Sequence, residues 1–162
     1  MSEGVSVRPA AETEVALILA FIRELADYER LAHEVVATEE DLHVSLFGPR
    51  RFAEVVFGCL DGAPVGFALY FHSYSTFLGR PGLYLEDLYV RPAARGRRVG
   101  LRLLVWLAQT ALARGCGRLE WAVLDWNEAA IGFYRKLGAV VKDEWKTFRV
   151  TGTALVRLAE RE

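Results

Sequence analysis

Two stretches of this chain bring together residue types that could do chemistry. The first is Arg95-Gly96-Arg97-Arg98-Val99-Gly100, a turn rich in glycine and arginine and poor in bulk. If a helix opens there, its first backbone N–H groups have no partner within the helix, and the helix dipole adds partial positive charge at the same place. Glycine lets an anion come close to such a backbone, so the turn suits a phosphate or pyrophosphate. The same residues would serve as a solvated basic turn, and spacing alone does not choose between the two. The turn is not a P-loop, because no Lys-Ser/Thr closes it. It is not the dinucleotide fingerprint either, because the middle glycine and a suitably spaced acidic strand end are missing. The second stretch is the acidic pair Glu86-Asp87, set among apolar residues. Side chains alternate along a strand, so one acid of the pair is expected to face a cleft and the other the opposite side. Two solvent-facing acids on an edge would read the same way.

The elements that must position these residues follow from periodicity. Tyr84 to Val90 reads as a strand, stopped by Arg91-Pro92. Leu101, Leu104, Val105, Ala108, Ala111 and Leu112 fall at helical spacing and predict a helix with one apolar stripe. Upstream, Val5 to Val7 predicts a short strand and Glu14 to Leu31 an amphipathic helix on Ile18, Phe21, Ile22 and Leu25. A second helix is expected to start at a capping box, Thr38 to Asp41, with Leu42 and Leu46 facing in, and to stop at Gly48-Pro49. Phe52 to Leu60 and Pro64 to His72 predict strands joined by a tight Asp61-Gly62 turn. Ser73 to Gly82 reads as a loop exposing Tyr74 and Phe77. Downstream come a strand over Arg118 to Leu124, a short helix over Glu128 to Leu137, and a terminal hairpin of Trp145 to Val150 with Ala154 to Leu158 around Thr151-Gly152. The predicted order is β-α-α-β-β-β-α-β-α-β-β, an α+β arrangement with a mixed sheet of about seven strands and helices on both faces.

Composition narrows the function classes. At 162 residues the chain is expected to be a single domain, residues 1–162. A formal net charge of -1 argues against a nucleic-acid partner, which needs a strongly basic face. No apolar run reaches the roughly 20 residues of a membrane helix, and the first ten residues carry no apolar signal region. Cys59 and Cys116 have no metal or redox spacing and read as small buried hydrophobes of a cytoplasmic protein. His33, His43 and His72 are scattered, so no metal is expected.

Several longer words in the sequence carry a resemblance. Arg23-Glu24-Leu25-Ala26-Asp27-Tyr28-Glu29, Tyr84-Leu85-Glu86-Asp87, Asp125-Trp126-Asn127-Glu128 and Phe133-Tyr134-Arg135-Lys136-Leu137-Gly138-Ala139 occur in order. With the turn at 95–100, they make the chain resemble the GNAT family of N-acetyltransferases, most closely its spermidine/spermine and thialysine N-acetyltransferase branch. The family turn is Arg/Gln-x-x-Gly-x-Gly/Ala. Arg98 departs from it, standing where the first glycine is usual, and is expected to hold an unstrained φ.

The resemblance implies the GNAT fold and acetyl transfer from acetyl-CoA to a primary amine, by direct attack in a ternary complex. It implies Tyr134 as the acid that protonates the departing thiolate and Glu86 as the acceptor of the amine proton. Backbone N–H groups of Leu88, Tyr89 and Val90 would hold the acetyl carbonyl and pantetheine. Arg95, Gly96, Arg97, Arg98, Val99, Gly100 and Leu101 would take the pyrophosphate, and Asn127 to Ala130 the cofactor arm, although Asn127 is equally a helix N-cap. Tyr28, Glu29, Glu86, Glu120, Trp121, Ala122, Glu144 and Trp145 match substrate-side positions. Acidic and aromatic groups together suit an ammonium. Ser75-Thr76 replaces the acidic loop of the spermidine enzymes, and the segment from Gly138 to Trp145 is short. Both departures point to a small amine or an ω-amino acid. A non-catalytic acetyl-CoA-binding module and a transferase for a protein or peptide amine are the alternatives. The related enzymes imply a homodimer.

Overall fold

The computed structural model describes residues 4–162 and resolves into two compact units, one ending at Leu124 and the other running Asp125–Glu162. The first unit holds a five-stranded sheet in the order β1-β2-β3-β4-β5. The strands are β1 (Val5–Pro9), β2 (Glu54–Leu60), β3 (Ala63–Ser75), β4 (Arg80–Val90) and β5 (Leu119–Trp121). The first four pair antiparallel, and β5 runs parallel to β4, so the sheet is mixed. Among the described residues five strands replace the expected seven.

Helix α1 (Val15–Tyr28) covers one face. Its Ile18, Phe21 and Leu25 are buried as their spacing predicts, in a cluster with Phe57, Phe67 and Tyr89. Phe21 stacks on Phe67 with ring centroids 5.6 Å apart and tilts against Phe57 at 5.8 Å. Burying one such ring stabilises the fold by roughly 2–3 kcal/mol. Helix α2 (Glu39–Phe47) packs beside α1. It opens on the capping box read from the sequence: Asp41 N donates to Thr38 Oγ1 at 3.2 Å, and Thr38 N donates to Asp41 Oδ2 at 2.9 Å.

Helix α3 (Val99–Ala113) covers the other face, buried on Val99, Leu103, Leu104, Leu107 and Ala111. The stripe is rotated from the one read in the sequence, since Ala108 is exposed and Leu112 is 79% exposed. A run this rich in leucine and alanine supports more than one stripe, and sheet contact decides which is used. Gly58 of β2 makes that contact close: a Cβ there would lie 2.6 Å from Val99 Cγ1. The missing side chain lets the first turn of α3 rest on the sheet, which fixes where residues 95–101 sit.

Asp61 and Gly62 have φ of 49° and 83° and form the tight β2–β3 turn predicted for them. The stretch 73–82 is not a loop. It continues β3 and β4 into a long hairpin whose tip carries Phe77, 99% exposed. The strand expected over 118–124 is confined to Leu119–Trp121.

In the second unit, α4 (Glu128–Lys136) opens on Asn127, whose Oδ1 accepts from Ala130 N at 3.3 Å. It ends in a glycine cap in which Ala139 N donates to Tyr134 O at 3.2 Å and Gly138 takes φ of 90°. The expected terminal hairpin is absent among the described residues. Residues 145–150 form no regular element, and α5 (Gly152–Ala159) is a helix. Ala154 to Ala159 is built from alanine, leucine and arginine around one valine, and these helix formers outweigh the turn signal at Thr151-Gly152.

Candidate active site

Register along β4 sets the chemistry of its middle. Leu69 faces Asp87, but the next pair is Tyr70 with Leu85, so Glu86 is an extra residue in a β-bulge. Alternation places Tyr84 on the α1 face with Phe71, its cross-strand partner at a ring distance of 5.3 Å, and hence Glu86 two residues later on that face as well. Counting back from Tyr89, which packs against Phe21, puts Asp87 on the α1 face too. The bulge thus corrects the expectation that the two acids face opposite ways: both lie on the side where α1 ends at Tyr28 and Glu29.

Charge confirms the grouping. Glu86 is exposed, whereas Asp87 and Glu29 are half-buried. Burial pushes the Asp87 carboxyl up to about 7, and the neighbouring Glu86 and then Glu29 push the same way. Burial, then Glu86, also raises Glu29. Tyr84 is raised by burial, then by Glu86 and Glu120. None of the salt bridges among the described residues involves Glu29, Glu86 or Asp87. Three carboxylates lacking a salt-bridge partner form a ready seat for a cation. The sequence offers Asp87 only as one of a pair and gives Tyr84 no role. The bulge that turns them toward the others carries no glycine or proline to announce it.

Beyond Trp121, β5 no longer accompanies β4, which continues to Val90. Arg91 N donates to Val65 O at 2.9 Å, so alternation directs the Tyr89 amide toward β3 and those of Leu88 and Val90 toward the abandoned edge. Of the three amides expected to bind acetyl and pantetheine, Leu88 and Val90 are the two that alternation opens. The end of β4 is pinned by Arg91, which meets Glu24 through Nε and Nη2 at 3.1 Å and lies 4.7 Å over the Phe21 ring.

The turn follows directly. The first hydrogen bond of α3 runs from Arg102 N to Arg98 O at 2.9 Å, leaving the amides of Val99, Gly100 and Leu101 without a partner inside the helix. Gly96 and Arg97 are exposed, and Gly96 has φ of 77°. Arg98 caps the helix with φ of 67°, in the left-handed region, so the unstrained φ expected of it is overturned. The turn needs that conformation, which glycine adopts without cost and arginine at roughly 1 kcal/mol. Arg95 Nε donates to Val90 O at 3.0 Å, and its guanidinium lies 4.9 Å from the Tyr28 ring and 5.8 Å from Tyr89. The cation over Tyr28 is therefore the chain's own.

The remaining expected site residues have the following surroundings. Glu120 pairs with Arg118 at 3.6 Å, while Trp121 is half-buried and Ala122 exposed. In the second unit, Tyr134 is half-buried with its ring 5.6 Å from Phe133. Glu144 pairs with Lys142 at 2.8 Å, and Trp145 is 75% exposed. Among the described residues no His, Cys, Asp or Glu cluster could hold a metal ion, and no helix is long and apolar enough to cross a membrane.

The fourth and fifth strands of the mixed sheet part beside a helix N-terminus, so unpaired main-chain amides and carboxylates lie along the same strand. The model of the acetyltransferase (GNAT) family matches residues 19–139, and the chain belongs to that family: it is an acetyltransferase. It is 41% identical over 166 residues to thialysine N-epsilon-acetyltransferase from Bos taurus, covering 96% of this chain and 97% of that one. It is 33% identical to an L-ornithine N5-acetyltransferase from Arabidopsis thaliana, over 92% of this chain and 85% of that one. Among solved structures, an integron cassette protein from the mobile metagenome of V. cholerae superposes with a TM-score of 0.80 at 29% identity, covering 98% and 99% of the two chains.

Proposed function

We propose that this enzyme transfers the acetyl group of acetyl-CoA to a primary amine of a small cationic molecule, of the thialysine or short diamine type. The observation that carries this reading is the pair Glu86 and Asp87 on one face of β4, met there by Glu29 from the end of α1, one strand end away from the amides of Val99 to Leu101. An alkylammonium with pKa near 10 is about one part in a thousand free amine at pH 7, a cost of roughly 4 kcal/mol. A half-buried carboxylate cluster offsets it by holding the cation and taking its proton. The amides opening α3 suit the diphosphate of the donor. Those of Leu88 and Val90 suit its acetyl carbonyl and pantetheine, where they would stabilise the developing oxyanion. Tyr134 is assigned the proton for the departing sulfur on its match to the family tyrosine. Both curated relatives quoted above are named for an ω-amino acid acceptor, which supports a small substrate bearing an amine at one end. The reading also carries over the homodimer implied by the related enzymes and the cytoplasmic location read from the cysteines.

A thiol-release assay with acetyl-CoA tests this across thialysine, ornithine, lysine, putrescine, spermidine and a peptide panel. Highest kcat/KM on a small ω-amino acid or diamine is the expected result. Preference for peptides would overturn the substrate class. Silence on every amine, with coenzyme A still bound in calorimetry, would leave a binding module.

A further inference from the structure

The bulge does more than gather charge, because it separates two acids that adjoin in sequence by their access to water. Glu86 is the unpaired extra residue and is exposed. Asp87 is back in register opposite Leu69 and is half-buried. We infer that Asp87 is the group that takes up the amine proton, while Glu86 beside it holds the ammonium in place; this rests on the acetyl-transfer reading above. A base must hold a proton about as tightly as the operating pH allows. An exposed carboxylate falls short of that, and a half-buried one facing like charges reaches it.

The groups around Asp87 are few. Glu29 faces it from the end of α1, with Arg30 following at the same helix end. Glu86 adjoins it on β4, with the Tyr84 phenol on that face. The β3 residue opposite is the uncharged Leu69, and β5 brings Glu120, which is held by Arg118. Burial, then Glu86 and Glu29, set the Asp87 carboxyl at about 7.

The protons balance. The ammonium gives one to the Asp87 carboxylate, leaving a free amine and a neutral carboxyl, which later returns that proton to solvent. The amine lone pair forms the C–N bond, the C–S bond breaks, and the second proton lost by nitrogen is matched by the one that sulfur gains. One proton per turnover is released.

The test is the pH dependence of kcat/KM for wild type, Asp87→Asn and Glu86→Gln, alongside a carbon-13 titration of the Asp87 carboxyl and calorimetry with coenzyme A. The wild-type rate is expected to rise with pH through a limb near 7 that matches the carboxyl titration. Asp87→Asn should lower kcat about 10²–10³-fold and abolish that limb, with coenzyme A affinity unchanged. Glu86→Gln removes one like charge and should move both the limb and the Asp87 titration to lower pH. An Asp87→Asn enzyme within threefold of wild type would overturn the assignment. So would a limb that stays in place when the Asp87 titration moves. If Asp87→Asn fails to fold, the Glu86→Gln shift decides alone. If wild type acetylates no amine, the functional reading has failed, and the titration still shows whether the two acids are coupled.

Discussion

The two ends of β4 handle charge in opposite ways. At 84–87 the protein sets an exposed carboxylate, Glu86, beside a half-buried one, Asp87, and no salt bridge among the described residues relieves them. At 95–101 it presents positive charge through exposed arginines and through main-chain amides that a helix leaves unbonded. The acidic end is tuned: burial and neighbours set how tightly a proton is held. The basic end is a rigid mould, since its donors are backbone and do not titrate. A proton-transfer step needs the first kind of site, and a stable diphosphate needs the second.

On this division of labour neither end supplies a proton to sulfur, and that step falls to the acid proposed above, Tyr134. Tyr134→Phe is expected to lower kcat about 10²–10⁴-fold, roughly 3–5 kcal/mol, with the Kd for coenzyme A unchanged. An unaltered single-turnover rate would return sulfur protonation to one of the β4 ends.

The acidic end should show in stability against pH. The folded-state value for Asp87 is raised above its unfolded one, so its protonated form is favoured by folding. The stabilisation is fully present below pH about 4 and is lost as pH rises through about 7. The unfolding free energy of wild type from urea titrations should fall between pH 5.5 and 8 by about 2 kcal/mol. Asp87→Asn should flatten that fall and be the more stable protein at pH 8. A wild-type profile that is flat across this window would remove the contrast between the two ends.

The basic end should respond to shape rather than to pH. Gly96 has φ of 77° and nothing within 4 Å of a built Cβ, so Gly96→Ala should cost about 1 kcal/mol from backbone strain alone. Arg98→Gly should have the opposite sign, gaining up to about 1 kcal/mol by removing a left-handed arginine. It should also weaken coenzyme A binding a few-fold through loss of one cation. Thermal unfolding with and without coenzyme A reads both. Equal signs for the two variants would show that the turn does not hold these φ values in solution.

The sequence made the scaffold of this site legible and left its fine geometry hidden. Ile18, Phe21 and Leu25 announced α1, and Thr38 with Asp41 the start of α2, because both depend on local spacing. The Asp61-Gly62 turn was equally plain. Glu86 and Asp87 were visible as acids, but their common face depends on a bulge set by pairing with β3, which no local pattern encodes. The strain at Arg98 depends in the same way on where Val99 must land against Gly58. The expected terminal hairpin gives way to a helix because Thr151-Gly152 resembles a turn in sequence, whereas Gly152 opens α5.

The extra residue in β4 also changes what a length mutation would do. Removing one amino acid from inside a strand ordinarily inverts every side chain beyond the cut. On either side of Glu86 the frames already differ by one, so losing it would join two stretches that are each correctly matched to β3. Such a shortened protein should fold with an uninterrupted ladder but hold the acceptor ammonium poorly, raising KM for the amine. Over evolutionary time the position would therefore be held by selection for catalysis, with little help from selection for folding.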